Sequence, residues 1–132
     1  MSKENQRKQM VRYWWEKSEE SLKSARREFK AGAYDFSINR IYYAAFYGVS
    51  AVLLDRNMSF KKHSGVRAYF QREFIKEGLI EVKWGKFYDI LFEDRQESDY
   101  TAFIDFSNDY VSEQIQLCEQ FLKELKKLLN GV

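Results

Sequence analysis

Proline is absent from all 132 residues of the chain, and this absence constrains the fold more than any other feature of the sequence. Proline interrupts helices because it lacks an amide hydrogen and its ring clashes with the preceding turn. Without it, helices end mainly at glycines and capping residues, so the chain can carry long uninterrupted helices. No segment shows the sustained alternation of polar and apolar residues that is typical of a half-buried strand.

Apolar residues recur at spacings of three and four in five segments, which is the pattern of amphipathic helices. These segments are approximately Gln6–Lys30, Tyr34–Arg56, Ser64–Glu77, Val82–Asp99 and Asp105–Leu129. Gly32 and Gly78 suit helix C-termini, and Asp105 or Ser107 can cap the last helix. The second segment is apolar on two sides, which predicts a helix at the centre. We therefore predict an all-α, up-and-down bundle of four to five helices.

The composition fits a single domain that spans residues 1–132, since 45% of the residues are hydrophobic and 32% are charged. A net charge of +2 gives no general attraction to nucleic acid, although a local basic groove remains compatible with it. A lone cysteine, Cys118, excludes an intrachain disulfide, so we expect a packing residue in a reduced, cytoplasmic protein. The polar N-terminus lacks the apolar core of a secretion signal, and no apolar run approaches the roughly 20 residues that span a membrane.

Three segments, in their order and spacing, resemble signatures of the HEPN (higher eukaryote and prokaryote nucleotide-binding) superfamily, in particular its small stand-alone microbial branch. They are Asn39–Phe46 (NRIYYAAF) in the second helix, Lys62–Val66 (KHSGV) at the start of the third and Leu91–Tyr100 (LFEDRQESDY) in the fourth. The resemblance covers about residues 14–129. It implies a helical bundle that is usually a homodimer. It also implies a partner, since many members pair with a minimal nucleotidyltransferase, often as toxin and antitoxin.

The same resemblance implies a catalytic pattern that this chain keeps only in part. Active toxins of the family are metal-independent ribonucleases with an arginine followed four to six residues later by a histidine, in a cleft across the dimer. Here Arg95 has the position of the arginine, but Tyr100 stands where the histidine is expected. The catalytic candidates are Arg95, Tyr100 and His63, the only histidine of the chain. Imidazole titrates near neutral pH, whereas tyrosine, with a pKa of about 10, is a poor base there.

Arg95 is the most informative position, because it follows Tyr88 by seven residues and Leu91 by four and so lies on the inward side of its helix. A guanidinium keeps its charge at neutral pH, and burying it unpaired is costly. Asp99 lies one helical turn further on and can pair with Arg95 to brace the core. Alternatively, Arg95 lines a cleft that holds a phosphate, which its planar fork recognises well.

A second candidate cation, Arg40, lies among aromatic residues of the second helix, including Tyr43. It either has a structural partner or shares a cavity with Arg95, where two fixed charges beside tyrosines would suit a nucleotide or an RNA backbone. The ligand-binding candidates are therefore Arg40, Tyr43, Arg95 and Asp99. His63 is similarly open to two interpretations: a solvent-exposed residue at the start of the third helix, or a member of the same cleft.

Three functions remain compatible with the sequence. The first is a dimeric module that binds a nucleotide or a minimal nucleotidyltransferase in a toxin–antitoxin pair. The second is a ribonuclease toxin that cleaves RNA without a metal, and the third is a structural bundle without a ligand. We expect no cofactor and no metal, because one histidine and one cysteine cannot build a zinc centre without carboxylates. The sequence also lacks a glycine-rich phosphate-binding loop.

Overall fold

The computed structural model describes residues 2–100 and 105–130, apart from the side chains of Ser98 and Tyr100. Its elements are α1 (Lys3–Lys30), α2 (Tyr34–Asp55), α3 (His63–Phe70), a π-helical segment (Gln71–Ile75), α4 (Val82–Tyr100) and α5 (Asn108–Lys126). No strand occurs within the described ranges, and the predicted all-α bundle is confirmed. No helix in this part of the chain is both long and apolar enough to cross a membrane.

Apart from the end of the third helix, the helices begin and end within three residues of their predicted positions. The Ser107 hydroxyl accepts a hydrogen bond from the Tyr110 amide over 3.1 Å, so Ser107 rather than Asp105 caps α5. Gly32 and Gly78 have φ angles of +76° and +80°, the left-handed backbone that glycine adopts without strain. Both therefore end the preceding helical segments as predicted.

The third predicted helix, Ser64–Glu77, is not regular throughout. The α-helix ends at Phe70, and Gln71–Ile75 form a π-helical turn. From this turn the Gln71 amide donates to the Gly85 carbonyl over 2.8 Å and to Asp89 Oδ1 over 3.1 Å, both on α4. The wider turn thus occurs where the chain contacts α4. Apolar spacing alone did not reveal it, since a single π turn shifts the helical pattern by only one residue.

Helix α2 lies at the centre of the bundle, as predicted, and contacts α1, α3, α4 and α5. Small residues allow this close packing. A Cβ atom at Gly48 would lie 2.8 Å from Leu122 Cδ2 on α5 and 3.2 Å from Ser18 Oγ on α1. Only a residue without a side chain fits at this crossing without movement of its neighbours.

Three buried serines join α1 to α2. The hydroxyls of Ser18, Ser21 and Ser37 donate to the carbonyl oxygens of Ala44, Arg40 and Ala25 over 2.6, 2.8 and 2.8 Å. Each hydroxyl uses the free lone pair of a helical carbonyl, so its burial leaves no unsatisfied donor. These bonds explain why the polar Ser18 stands within the otherwise apolar stripe of α1.

Aromatic side chains fill much of the core. Tyr42, Phe70, Phe74, Tyr88 and Phe121 are fully buried. The rings of Phe70 and Tyr88 meet edge to face with 5.5 Å between their centroids, a favoured aromatic geometry. Cys118 is buried as expected, and burial raises the pKa of its thiol to about 12. It is therefore an unreactive packing residue at neutral pH.

Candidate functional site

Two consecutive tyrosines of α2 form the base of the candidate site. Tyr42 is fully buried, Tyr43 is half-buried, and their rings meet edge to face with 5.2 Å between centroids. Arg95 on α4 lies over both rings, with its Cζ 5.3 Å from the Tyr42 centroid and 5.5 Å from that of Tyr43. The faces of the two rings attract the guanidinium charge. The predicted inward-facing arginine is therefore held against an aromatic surface of α2.

The predicted Arg95–Asp99 pair is present, with 3.1 Å between Arg95 Nε and Asp99 Oδ2. The Nε hydrogen is not directed at any acceptor in the described part of the chain, so this contact is an ion pair rather than a hydrogen bond. Nη2 of Arg95 donates to the Tyr43 hydroxyl over 3.3 Å. The Arg95 side chain is still 20% exposed. The arginine thus has a structural partner and retains a solvent-accessible edge.

His63, the first residue of α3, packs against the same tyrosines. Its Nδ1 lies 3.0 Å from the Tyr42 hydroxyl. Its ring stacks on Phe46, with 4.0 Å between centroids and 25° between planes. The centroids of Tyr42 and Tyr43 are each 5.8 Å from that of His63. Of the two placements considered from the sequence, the structure therefore has His63 half-buried in the cluster rather than free in solvent.

Burial and charge keep His63 and Tyr42 neutral around pH 7. Burial, followed by the positive charge of Arg95, lowers the pKa of His63 from its usual 6.5. Burial raises the pKa of Tyr42 to about 12, although Arg95 opposes this shift. His63 is therefore a neutral imidazole and Tyr42 a protonated phenol, beside the permanent cation of Arg95. A neutral imidazole is the form that can accept a proton from a substrate.

Arg40 and Asp99 complete the polar surroundings of Tyr43. The Cζ of Arg40 lies 5.5 Å from the Tyr43 ring centroid, and its Nε donates to Asn39 Oδ1 over 3.1 Å. Asn39 in turn makes a long 3.5 Å hydrogen bond to Asp99 Oδ1. Arg40 and Arg95 thus both lie over the Tyr43 ring, and Asp99 lies beside Arg95. We call Tyr42, Tyr43, His63, Arg95 and Asp99 the Arg95 cluster.

Tyr100, the third catalytic candidate, is the last residue of α4, but its side chain lies outside the described part of the structure. Arg67 on α3 lies near the cluster, where its charge lowers the pKa of Tyr42. Its guanidinium packs 4.0 Å from the Phe92 centroid and 3.6 Å from Asp89 Oδ1. Among the described residues, no group of three or more His, Cys, Asp or Glu side chains is arranged to hold a metal ion.

The contact of Tyr42 with His63 was not predicted from the sequence, where Tyr42 was noted as part of the NRIYYAAF segment. A buried phenol usually finds a hydrogen-bond partner, so a tyrosine on the core side of α2 was a usable signal. The sequence reasoning also missed Phe46 as the stacking partner of His63 and Asn39 as the link between Arg40 and Asp99. Both residues belong to the NRIYYAAF segment, whose first and last positions are Asn39 and Phe46.

Comparison with known proteins places the chain in a family. The model of the HEPN domain matches residues 11–128. A Thermotoga maritima protein named "UPF0332 protein" is 41% identical over 128 residues, which cover 97% of each chain. Two Methanocaldococcus jannaschii proteins, each named "Putative toxin", are also similar. One is 36% identical over 86% of this chain and 78% of its own length, and the other is 34% identical over 87% and 85%. The chain therefore belongs to the HEPN domain family.

Proposed function

We propose that this chain is the toxin-type member of a two-protein system and that its Arg95 cluster binds a phosphate of RNA or of a nucleotide. The observation that supports this most directly is the placement of Arg95 over Tyr42 and Tyr43 beside His63. The names of the Methanocaldococcus jannaschii relatives support the toxin role. A permanent cation held on a packed surface, with one accessible edge, is suited to capture an anion.

The N–H donors of Arg95 that are not engaged by its neighbours support phosphate binding. Asp99 faces the Nε side of Arg95, and the Tyr43 hydroxyl accepts from Nη2. Because 20% of the side chain is exposed, an approaching phosphate can use the remaining donors. Arg40 lies over the same tyrosine ring and supplies a second positive charge. Two arginines around one ring suit the phosphate and sugar contacts that position an RNA backbone.

The partners we propose are a second copy of the chain and a minimal nucleotidyltransferase that acts as the antitoxin. Self-association is supported by apolar side chains left on α4, where Val82 is 59% and Ile90 is 45% exposed. Ile90 and Leu117 line a groove between α4 and α5. Exposed apolar residues at a groove are typical of surfaces that another protein covers.

Cleavage of RNA is the second candidate function, and the position of His63 favours it. In metal-independent cleavage, the ribose 2′-oxygen attacks phosphorus, the bond to the 5′-oxygen breaks, and a 2′,3′-cyclic phosphate and a 5′-hydroxyl result. His63 would take the 2′-hydroxyl proton through Nε2 while Nδ1–H donates to Tyr42. Arg95 would stabilise the charge that develops on the phosphorane oxygens. The proton for the leaving oxygen would come from Tyr100 or from water.

The binding proposal is tested with a fluorescein-labelled single-stranded RNA in buffer that contains EDTA. Anisotropy should report binding to the wild-type protein and a loss of at least about tenfold in affinity for Arg95→Ala, since a charge-assisted contact contributes about 1.5–3 kcal/mol. Arg72→Ala is the matched control, because Arg72 is an exposed arginine. Its only ion pair within the described residues is with its neighbour Glu73. Equal affinities for the Arg95→Ala and Arg72→Ala variants would refute the proposal.

The same samples separate binding from cleavage. If the chain is a ribonuclease, gel analysis should show RNA fragments with 2′,3′-cyclic phosphate ends from the wild type, and His63→Ala should bind RNA without cutting it. If RNA stays intact, the chain acts by binding alone. Expression with and without a minimal nucleotidyltransferase encoded beside this chain then tests the toxin role, because growth arrest should occur only when the partner is missing.

A further inference from the structure

A cavity of about 290 Å³ lies beside His63, between α1, α2, α3 and the α2–α3 loop. Among the described residues that line it, only His63 belongs to the Arg95 cluster. His63 therefore connects two compartments, since its Nδ1 contacts Tyr42 in the cluster and its ring stacks on Phe46 in the cavity wall. A molecule in this cavity would lie next to any ligand that Arg95 holds.

Aromatic rings and free polar groups share the wall of this cavity. Trp14, Phe46 and Phe60 contribute the rings. Ser50, Ser59 and Lys61 contribute side-chain donors. Within the described residues, none of these three polar side chains makes a hydrogen bond. The cavity wall thus combines aromatic side chains with hydrogen-bonding groups that have no partner among the described residues.

We propose that this cavity binds the nucleobase of the nucleotide whose phosphate is held by the Arg95 cluster. The proposal rests on the proposed function and adds a base-binding pocket to it. Every base has a π-face that stacks on aromatic side chains and a polar edge that needs hydrogen-bond partners. The size of the cavity is close to the lower end of the range typical of small-molecule sites.

The distances within the cluster suit a single nucleotide that spans both compartments. The ring of the buried Tyr42 lies 5.8 Å from the His63 ring and 5.3 Å from the Arg95 guanidinium, so the imidazole and the guanidinium pack against the same tyrosine. A phosphate at Arg95 would therefore place the attached sugar near His63 and the base beyond it, in the cavity. The same arrangement brings the ribose 2′-hydroxyl close to the imidazole.

A nucleobase fits the wall better than an apolar side chain of a protein partner does. An inserted leucine or methionine would use the rings but would bury Ser50 and Ser59 without partners, which is unfavourable. A nucleobase can both stack on the rings and form hydrogen bonds with the serine hydroxyls. The ammonium of Lys61, immediately before the KHSGV segment, also favours a ligand with carbonyl oxygens or negative charge over a purely apolar one.

The test uses adenosine, guanosine, cytidine and uridine, which have a base but no phosphate and so do not depend on Arg95. Each nucleoside is titrated into the full-length protein while NMR records the ring signals of His63, the only histidine, and of Trp14, assigned through Trp14→Phe. At least one nucleoside should shift both signals saturably. Ser50→Leu, which fills the cavity, should weaken this binding at least about tenfold.

Ser112→Leu is the matched control, because Ser112 is also a half-buried helical serine but lies on α5, away from the residues that line the cavity. It should bind nucleosides as the wild type does. Phe60→Ala is the second variant, in case Ser50→Leu does not fold. Loss of one stacking ring should weaken binding at least about fivefold. The absence of any nucleoside-induced shift in the wild type would overturn the proposal, as would equal binding by all three variants.

A parallel titration with inorganic phosphate distinguishes failure of this inference from failure of the proposed function. If the cavity binds a base, nucleoside binding should persist in Arg95→Ala while phosphate no longer shifts the His63 signal in that variant. Phosphate binding without nucleoside binding would overturn the base pocket alone. Nucleoside binding without phosphate binding would support the pocket and count against the Arg95 cluster as a phosphate site.

Discussion

The Tyr42 hydroxyl lies 3.0 Å from Nδ1 of His63 and ties the start of α3 to the fully buried side of α2. This contact restricts the His63 ring, which also stacks on Phe46. The direction of the hydrogen bond depends on the tautomer. When Nδ1 carries the hydrogen and donates to Tyr42, Nε2 has a free lone pair. In either tautomer Tyr42 occupies Nδ1, so Nε2 is the nitrogen left for a substrate.

We expect the substitution Arg95→Gln to raise the pKa of His63. Burial and the Arg95 charge both lower this pKa in the native protein, and glutamine removes the second cause. The single histidine makes the measurement direct, because an NMR pH titration yields one set of imidazole signals. Arg72→Gln should leave the pKa of His63 unchanged. An unchanged pKa in Arg95→Gln would mean that the guanidinium is too strongly screened to affect the imidazole.

The same pKa shift predicts how stability depends on pH. Because the native pKa of His63 lies below its unfolded value of about 6.5, the unfolded chain binds the proton more readily. The contribution of His63 to stability is therefore full above that value and declines as pH falls toward the native pKa. In urea unfolding at a series of pH values, His63→Gln should lack this decline. A decline of equal size in that variant would assign the effect to other groups.

The substitution Tyr42→Phe should destabilise the protein by about 1–2 kcal/mol, because it leaves a half-buried imidazole nitrogen without its partner. The ring and its contacts with Tyr88 and Phe92 are retained. Tyr69→Phe is the control, since the half-buried Tyr69 hydroxyl has no hydrogen-bond partner among the described residues. Urea denaturation of the two variants provides the comparison. If both lose the same stability, the Tyr42–His63 bond contributes nothing measurable.

The conservative substitution Arg95→Lys should retain the charge but lose about tenfold in RNA affinity. Lysine has no planar fork to donate two parallel bonds to a phosphate, and its ammonium stacks less well over the two tyrosine rings. Anisotropy with the labelled RNA measures the change, and Arg72→Lys is the matched control. Wild-type affinity in Arg95→Lys would show that only net charge matters at this position.

Much of the fold could be predicted because the positions and ends of the helices depend on residue spacing and residue type, which the sequence shows directly. Helical spacing located the five helices, and Gly32 and Gly78 marked two of the ends. The inward position of Arg95 and its pairing with Asp99 also followed from spacing along one helix. The Tyr42–His63 bond could not be predicted from spacing, because its partners lie on different helices. Helical periodicity indicates which side of a helix faces the core but not which residues meet across it.

The substitution Tyr110→Phe should cost about 1 kcal/mol, since the Tyr110 hydroxyl donates to the half-buried carboxylate of Asp94. Burial already raises the pKa of Asp94 above 3.8, and the bond from Tyr110 opposes that rise. Its loss should raise this pKa further. A native pKa above the unfolded value means that stability falls as pH rises between the two, so the variant should lose stability over a wider pH range.

Urea unfolding between pH 3.5 and 7, with Tyr13→Phe as the control, measures this effect. Tyr13 is 48% exposed, and its hydroxyl has no hydrogen-bond partner among the described residues. Its variant should match the wild type within about 0.5 kcal/mol, as is usual for surface substitutions. The prediction fails if Tyr110→Phe shows the same pH dependence as Tyr13→Phe.

The substitution Gly48→Ala should destabilise the bundle although alanine is the better helix former. In an exposed helix the replacement would stabilise by about 1 kcal/mol. Here the added Cβ would lie 2.8 Å from Leu122 Cδ2 and 3.1 Å from Leu125 Cδ1. Both leucines are buried, so they can move only by displacing other core atoms. Overpacking of this kind costs about 1–3 kcal/mol.

The serine bond between α1 and α2 adds to that cost. The new Cβ would also lie 3.2 Å from Ser18 Oγ, whose 2.6 Å hydrogen bond to the Ala44 carbonyl fixes its position. The net loss expected from urea unfolding is therefore about 1–2 kcal/mol. Ser50→Ala, a small change at a half-buried position of the same helix, should stay within about 0.5 kcal/mol of the wild type. A Gly48→Ala protein as stable as the wild type would mean that α1 and α5 can separate from α2 at little cost.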